Sequence, residues 1–285
     1  MLSAIVRSLV RYGKRAWSRL PCRLRESRAV VRLGTAIHVL SRKFSDRRQS
    51  ESTWFLRNRP LLMAIRDSVE ELRMGTTIQL CDVGCCSGPE MYSLLWTIRK
   101  ARPDLNVLPI GVDISERAIA KARTGLFSAG DPELRTLSQD VLAELFDTTT
   151  IGLKIKQWIA EGVKWIVGDA RDPDLVSRLG RQDILLANNF LVHMREQEAT
   201  ACVRNLIQLV RPGGLFVCRG IDLNVRDRVS RELKLQPLFT RLEEIHNAEP
   251  SLDAPSGWPW SYWGLEPMDK SHRDWARRYT AIFRV

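Results

Sequence analysis

At residues 78–92 the chain reads IQLCDVGCCSGPEMY, and few local structures satisfy that string. Ile78, Leu80 and Val83 supply a buried strand, Gly84 and Gly88 a turn, and Met91, Leu94, Leu95 and Ile98 the apolar stripe of a helix. A strand that stops at a glycine turn and restarts as a helix leaves backbone N–H groups free at the C-terminal edge of a parallel sheet. A nucleotide-like ligand can be held there. The spacing is G-x-x-x-G rather than the dinucleotide G-x-G-x-x-G, and a tight turn without ligand has the same outline, so the rest of the chain must decide.

Alternation of strand and helix patterns continues downstream. Strands are expected at about 78–83, 107–112, 163–167, 183–188 and 214–219, with helices at about 89–101, 115–123, 172–179 and 195–210 and a further helical segment at 132–146. Successive βα units impose a parallel sheet with right-handed crossovers and gather ligands at the strand C-termini. The residues there are Asp82, Gly84, Cys86, Ser87 and Gly88 after the first strand, Asp113 and Ile114 after the second, Gly168, Asp169 and Ala170 after the third, and Asn188, Asn189 and Phe190 after the fourth. A carboxylate offers two acceptor oxygens and no donor, so Asp113 suits a ribose diol; the competing role is to cap the helix at 115. Asp169 can accept from an exocyclic adenine amine. Asn188 and Asn189 can equally cap the turn that follows them. RPGG at 211–214 reads as a structural turn.

Charge is confined to one end. The net charge is +11, and residues 1–50 hold thirteen Lys or Arg against Glu26 and Asp46, so the remainder is neutral. Residues 1–20 form a basic amphipathic helix that fits an anionic membrane surface, an organellar transit peptide or a docked structural helix. No apolar run reaches bilayer-spanning length. A second basic helix is expected at 24–44, a linker at SDRRQSES, 45–52, and a helical lead-in at 52–72 that restarts at Pro60. Only Tyr12 and Trp17 interrupt the basic run with aromatic rings, which disfavours RNA recognition. Six cysteines without C-x-x-C spacing fit a reduced, cytoplasmic protein, and Cys81, Cys85 and Cys86 read as packing rather than as a metal cluster. Trp258, Trp260, Trp263 and Trp275, beside three prolines, suit either a lid over an acceptor pocket or a loop tucked onto the sheet edge.

D-x-G-x-x-x-G after one strand, an acid after the next, G-D-A after the third and helix-RPGG-strand resemble the class I S-adenosylmethionine-dependent methyltransferases. Within them the chain resembles the CheR-type, chemotaxis-receptor family, through GCCSGPEMYS at 84–93, GVDISERAIAKARTGLF at 111–127, ANNFLVHM at 187–194 and TWFLR at 53–57. The resemblance covers about residues 50–220. It implies an α/β, Rossmann-like fold with a mostly parallel seven-stranded sheet, helices on both faces and a helical N-terminal segment. RYTAIFRV at 278–285 becomes a closing antiparallel strand. The domain divisions it suggests are a basic segment 1–50, a lead-in 51–75, a cofactor core 76–220 and a Trp-rich extension 221–285.

By the same resemblance the cofactor is S-adenosyl-L-methionine. Gly84, Glu90 and Asp113 hold its methionine and ribose portions, with Asp82, Ser87, Gly88 and Ile114 in the same loops. Asp169 and Ala170 flank the adenine, and Asn188 and Asn189 lie beside the sulfonium. Arg57 faces the methyl acceptor, and Asn189 and His193 complete the catalytic set. The family product is a glutamate methyl ester on a protein; a small-molecule hydroxyl, carboxyl or amine is the rival acceptor, and a cofactor-binding scaffold with a membrane- or nucleic-acid-binding arm the rival outside enzymology. Three departures are plain. His193 stands where the family has Tyr, Pro89 where it has its first Glu, and residues 146–163 are too few for its receptor-docking β-subdomain in full form.

Overall fold

The computed structural model describes residues 12–21, 24, 27–249, 257–262, 266–271 and 273–285; the first eleven residues of the basic amphipathic stretch, and Trp263, lie outside them. Its centre is β1, Thr77–Val83, a strand flanked on both edges by parallel partners and covered on both faces by packed core layers. On one side runs β2, Asn106–Asp113, followed by β6, Lys164–Val167; on the other run β7, Gln182–Asn188, and β8, Val210–Arg219. Two short strands complete a seven-stranded sheet in the order β6-β2-β1-β7-β8-β10-β9: β9, Gln236–Leu238, and β10, Ile282–Arg284, which is antiparallel to both its neighbours. This is the doubly wound architecture expected from the alternation of patterns.

Strand alternation sorts the core into two layers. Ile78, Leu80, Ile184, Leu186 and Val217 face one layer, with Phe55, Ile65, Met91 and Leu95. Cys81, Val83, Leu185, Ala187, Phe216 and Cys218 face the other, with Val203 and Val225.

Several expected boundaries move. The helical segment at 132–146 is broken into a single 3-10 turn, Pro132–Leu134, and a helix, Gln139–Leu145. Phe146 then opens β4, Phe146–Thr149, which pairs with β5, Gly152–Ile155, and through it with β3, Leu126–Phe127, as a small antiparallel sheet. Phe55, Phe127 and Phe146 meet edge to face at 5.1–5.8 Å and pin this sheet to the core. A three-stranded subdomain therefore exists, because the short 146–163 segment borrows its outer strand from residues ahead of the helical insert. The helix expected at 172–179 shrinks to Leu175–Leu179. RPGG is not a turn between elements but an irregularity inside β8, which pairs Val210 with Gln182 and then Leu215 with Ile184. Arg278 and Tyr279 end a short helix, Trp275–Tyr279, and only Ile282–Arg284 form the closing strand.

The basic segment and the Trp-rich tail meet. Trp258 is buried and sits edge-on to Trp17 at 5.4 Å, and its ring lies so close over Gly34 that a β-carbon there would overlap it. Asp222 binds Arg42 at 3.1 Å and Arg47 at 2.9 Å, tying the helix Arg28–Phe44 and the residues after it to the sheet edge. Trp258 thus packs as core between the N-terminal helices. Among the described residues no helix is long and apolar enough to cross a membrane.

Candidate active site

Register brings the first two strand tips together. Val83 pairs with Val112, and the N–H groups of Gly84 and Cys85 both donate to the Val112 carbonyl, at 2.8 and 3.1 Å. Asp113 follows directly. Its two carboxylate oxygens accept from the N–H groups of Cys86 (2.8 Å) and Ser115 (2.9 Å), so it bridges both loops. The helix cap is Ser115, whose hydroxyl accepts from Ala118 N–H, and not Asp113. One lone-pair position on each Asp113 oxygen is left over, as a vicinal diol requires.

A cavity of about 250 Å³ opens over these tips. Gly84, Glu90, Asp113, Ile114, Asp169, Ala170, Asn188, Asn189, Arg57 and His193 all line it. Gly84 must be glycine: its φ is +78°, and a β-carbon would lie 2.5 Å from the Phe190 ring that covers it. Asn189 also adopts a left-handed backbone, φ +63°, with its N–H on the Arg219 carbonyl. Asn188 does not cap the turn at Leu191–His193. It donates to Glu90 Oε1 at 2.8 Å and accepts from Arg219 N–H at 2.9 Å, coupling the first and fourth strand tips.

Three expected cofactor residues are absent from the wall. Asp82 is fully buried behind the loop, on the strand face shared with Ile78 and Leu80. Ser87 turns away and donates to Glu133 Oε1 at 3.0 Å. Gly88 serves the backbone: at φ +92° it begins the helix Pro89–Ala101, and Trp165 and Tyr92 close over it.

The electrostatics favour a cation. Neither oxygen of Asp82 has a hydrogen-bond partner, and burial, then the charges of Glu90 and Asp113, push its carboxyl well above the usual range. Burial likewise raises Glu90, although Asn188, Arg57 and Arg219 pull it back. A positive group beside these acids relieves the desolvation cost they carry. Asp169 is held below the usual carboxylate range by a two-pronged contact from Arg171, with the Arg171 backbone N–H adding a further bond.

On the opposite wall Arg57 stacks on Trp54, 4.2 Å from the ring centre, while Arg135 lies 4.1 Å from the same ring. Its guanidinium meets Glu249 Oε1 at 3.4 Å, and Arg219, itself buried, meets Glu249 Oε2 at 3.0 Å. Burial alone would raise Glu249, but the two arginines hold it below the ordinary range. His193 shares a hydrogen bond of 3.0 Å between Nδ1 and the Tyr262 hydroxyl; burial, then the charges of Arg47 and Arg57, lower its pKa and so favour the uncharged ring.

Sequence reasoning missed the segment 49–52. Read as a linker, it crosses the cavity: Glu51 accepts from the Ser115 hydroxyl at 2.9 Å and from Arg117, and its carbonyl accepts from Cys86 Sγ at 3.2 Å. A polar, aperiodic string carries no pattern that announces this. Trp54, second in the TWFLR string, was the available signal.

A family model described as "CheR methyltransferase, SAM binding domain" matches residues 51–229. The chain belongs to this family. Among curated proteins, "Chemotaxis protein methyltransferase 2" of Vibrio cholerae serotype O1 is 24% identical over 160 residues, 55% of each chain. "Probable biofilm formation methyltransferase WspC" of Pseudomonas putida is 23% identical over 210 residues, 72% of this chain and 49% of that one. The chain spans about half the length of these relatives. Solved structures that share likeness include the CurJ carbon methyltransferase (19% identity, TM-score 0.37, 56% of this chain and 34% of that one) and PKMT2 from Rickettsia typhi in complex with AdoHcy (16%, 0.35, 58% and 25%).

For a CheR-family domain the ligand of the cavity is S-adenosylmethionine, and the residues present fit it. The orphaned acid Asp82 and its neighbour Glu90 suit a molecule with a sulfonium and an ammonium, and Asp113 suits its ribose.

Proposed function

We propose that this chain transfers a methyl group from S-adenosylmethionine to a protein carboxylate, giving a glutamate methyl ester. The observation that carries the reading is one cavity walled by Gly84, Glu90 and Asp113 on the cofactor side and by Arg57 on the other. The cofactor supplies an electrophilic methyl on sulfur. Asp113 receives the ribose hydroxyls, Ala170 and Asp169 border the adenine, Glu90 faces the ammonium end with the buried Asp82 behind it, and Asn188 and Asn189 border the sulfonium. A carboxylate acceptor is ionised at pH 7 and needs no base, so catalysis is alignment and exclusion of water. Arg57, stiffened by Trp54 and Glu249, orients it through a charge-assisted pair. The small sheet β3-β5-β4 would take, in shortened form, the receptor-docking role that the family resemblance implies.

One observation favours a second reading. Arg57 already has a carboxylate partner in Glu249, and His193, which lines the same cavity with its pKa lowered by burial, is a base that a carboxylate acceptor would not use. A hydroxyl acceptor would use it, passing its proton to the imidazole as the methyl arrives.

Incubation with methyl-labelled S-adenosylmethionine and lysate of the source cell, then mild base, separates the two. Protein-bound label released as methanol supports the ester. Base-stable label on a small molecule supports the hydroxyl, and no transfer with intact cofactor binding refutes both.

A further inference from the structure

The helix Arg28–Phe44 is apolar on two sides. One side is spent on the fold: Gly34 and His38 are buried, Gly34 under Trp258, and Arg42 is tied to Asp222. The helix therefore cannot roll. On the opposite side Ala29, Leu33, Ala36, Leu40 and Phe44 follow one another at helical spacing and are all exposed, Leu40 by 56% and Phe44 by 74%. Val39, Arg32 and Lys43 stand exposed along one flank of this stripe. The helix is about 25 Å long at the standard rise per residue.

We infer that this face is an interfacial seat for an anionic bilayer, distinct from residues 1–20. Charge decides the occupant. From 27 to 45 the chain holds no Asp or Glu, so a second copy packed on the same face would oppose Arg32 and Lys43 to themselves with no acid to answer them. A nucleic acid would satisfy the basic flank and leave Leu33, Leu40 and Phe44 in water. Anionic headgroups over acyl chains answer both halves of the face at once.

The seat also has a place in the enzyme. A second cavity, of about 510 Å³, is walled by Val39, Arg42 and Lys43 of this same helix and shares His193 and Glu198 with the cofactor cavity. A bilayer on the exposed face borders that cavity, so the acceptor it serves is one presented at a membrane surface.

The test is flotation of the full chain with vesicles of phosphatidylglycerol and phosphatidylcholine in equal parts, against phosphatidylcholine alone. Binding is expected only to the anionic vesicles and should weaken as salt is raised. Leu40→Ser with Phe44→Ser should lower the partition coefficient about ten- to thirty-fold, by removing two anchors that insert part-way. Arg32→Glu with Lys43→Glu should abolish the preference for anionic lipid. Both pairs are exposed, so an unchanged thermal melt and unchanged S-adenosylhomocysteine affinity confirm that the fold and the cofactor site are intact. Absence of wild-type flotation overturns the assignment. So does binding that survives Leu40→Ser with Phe44→Ser but is lost with Val6→Ser and Leu9→Ser, or a dimer that Leu40→Ser with Phe44→Ser dissociates.

Discussion

Replacing Asp113 with Asn changes one atom and tests the cofactor assignment directly. In the native site each carboxylate oxygen accepts one loop N–H, from Cys86 at 2.8 Å and from Ser115 at 2.9 Å, and retains capacity for one ribose hydroxyl. An amide keeps a single acceptor oxygen. Whichever way it is turned, an NH2 group faces one of the two N–H groups, and one hydroxyl loses its acceptor. The other hydroxyl keeps a neutral partner in place of an ionised one. With charge-assisted hydrogen bonds at about 1.5–3 kcal/mol each, the loss on the ligand side is about 2–3 kcal/mol, or roughly 30- to 150-fold in Kd. Titration calorimetry with S-adenosylhomocysteine reads this out, and repetition with its 2′,3′-dideoxy analogue completes a cycle, since the analogue has no hydroxyls to lose. Wild type and variant should bind the analogue alike. An equal loss for both ligands would mean that the substitution acts through the loops and that Asp113 does not hold the ribose.

Three further outcomes follow from the same geometry. Gly84→Ala requires a left-handed residue, at about 1–2 kcal/mol, and drives a methyl group into the Phe190 ring, so calorimetry should show cofactor binding abolished while circular dichroism shows the fold retained; near-normal affinity would contradict the close approach. Because Asp82 and Glu90 are raised in the free protein and a bound cation favours their ionised forms, cofactor binding should release protons below neutrality, and the measured enthalpy should change with the ionisation enthalpy of the buffer; the same enthalpy in every buffer refutes the acid cluster as the cation's partner. Glu249→Gln strands the buried Arg219 and should cost about 3–5 kcal/mol of stability. The folded pKa of Glu249 lies below its unfolded one, so the stability it contributes is present above an unfolded value of about 4.3 and is lost as pH falls through the folded value. Thermal melts of wild type and variant should therefore converge in acid, and a gap that persists there would show that the pair is not electrostatic.

What the sequence made legible tracks the range of the interaction responsible. The sheet is legible because β1, β2, β7 and β8 are nearly continuous apolar runs, and the meeting of Gly84 with Asp113 follows from in-register parallel neighbours. Asp82 was within reach too: strand period places it on the side of Ile78 and Leu80, which buries it behind the cavity wall rather than in it. The small sheet was not legible, since β3 is two residues long and finds its partner across an intervening helix, leaving no periodicity to detect. Nor was Glu249, which joins Arg57 across 192 residues by an ion pair, a contact with no local signature. That last omission bears on the chemistry. An arginine free in the cavity would select any carboxylate, whereas one already answered by Glu249 and held over the Trp54 ring has a restricted direction and a partner for its charge. In the role proposed for it, such a group would favour a carboxylate whose approach matches the fixed direction of the guanidinium, and alignment of that kind is what an in-line transfer from sulfur demands.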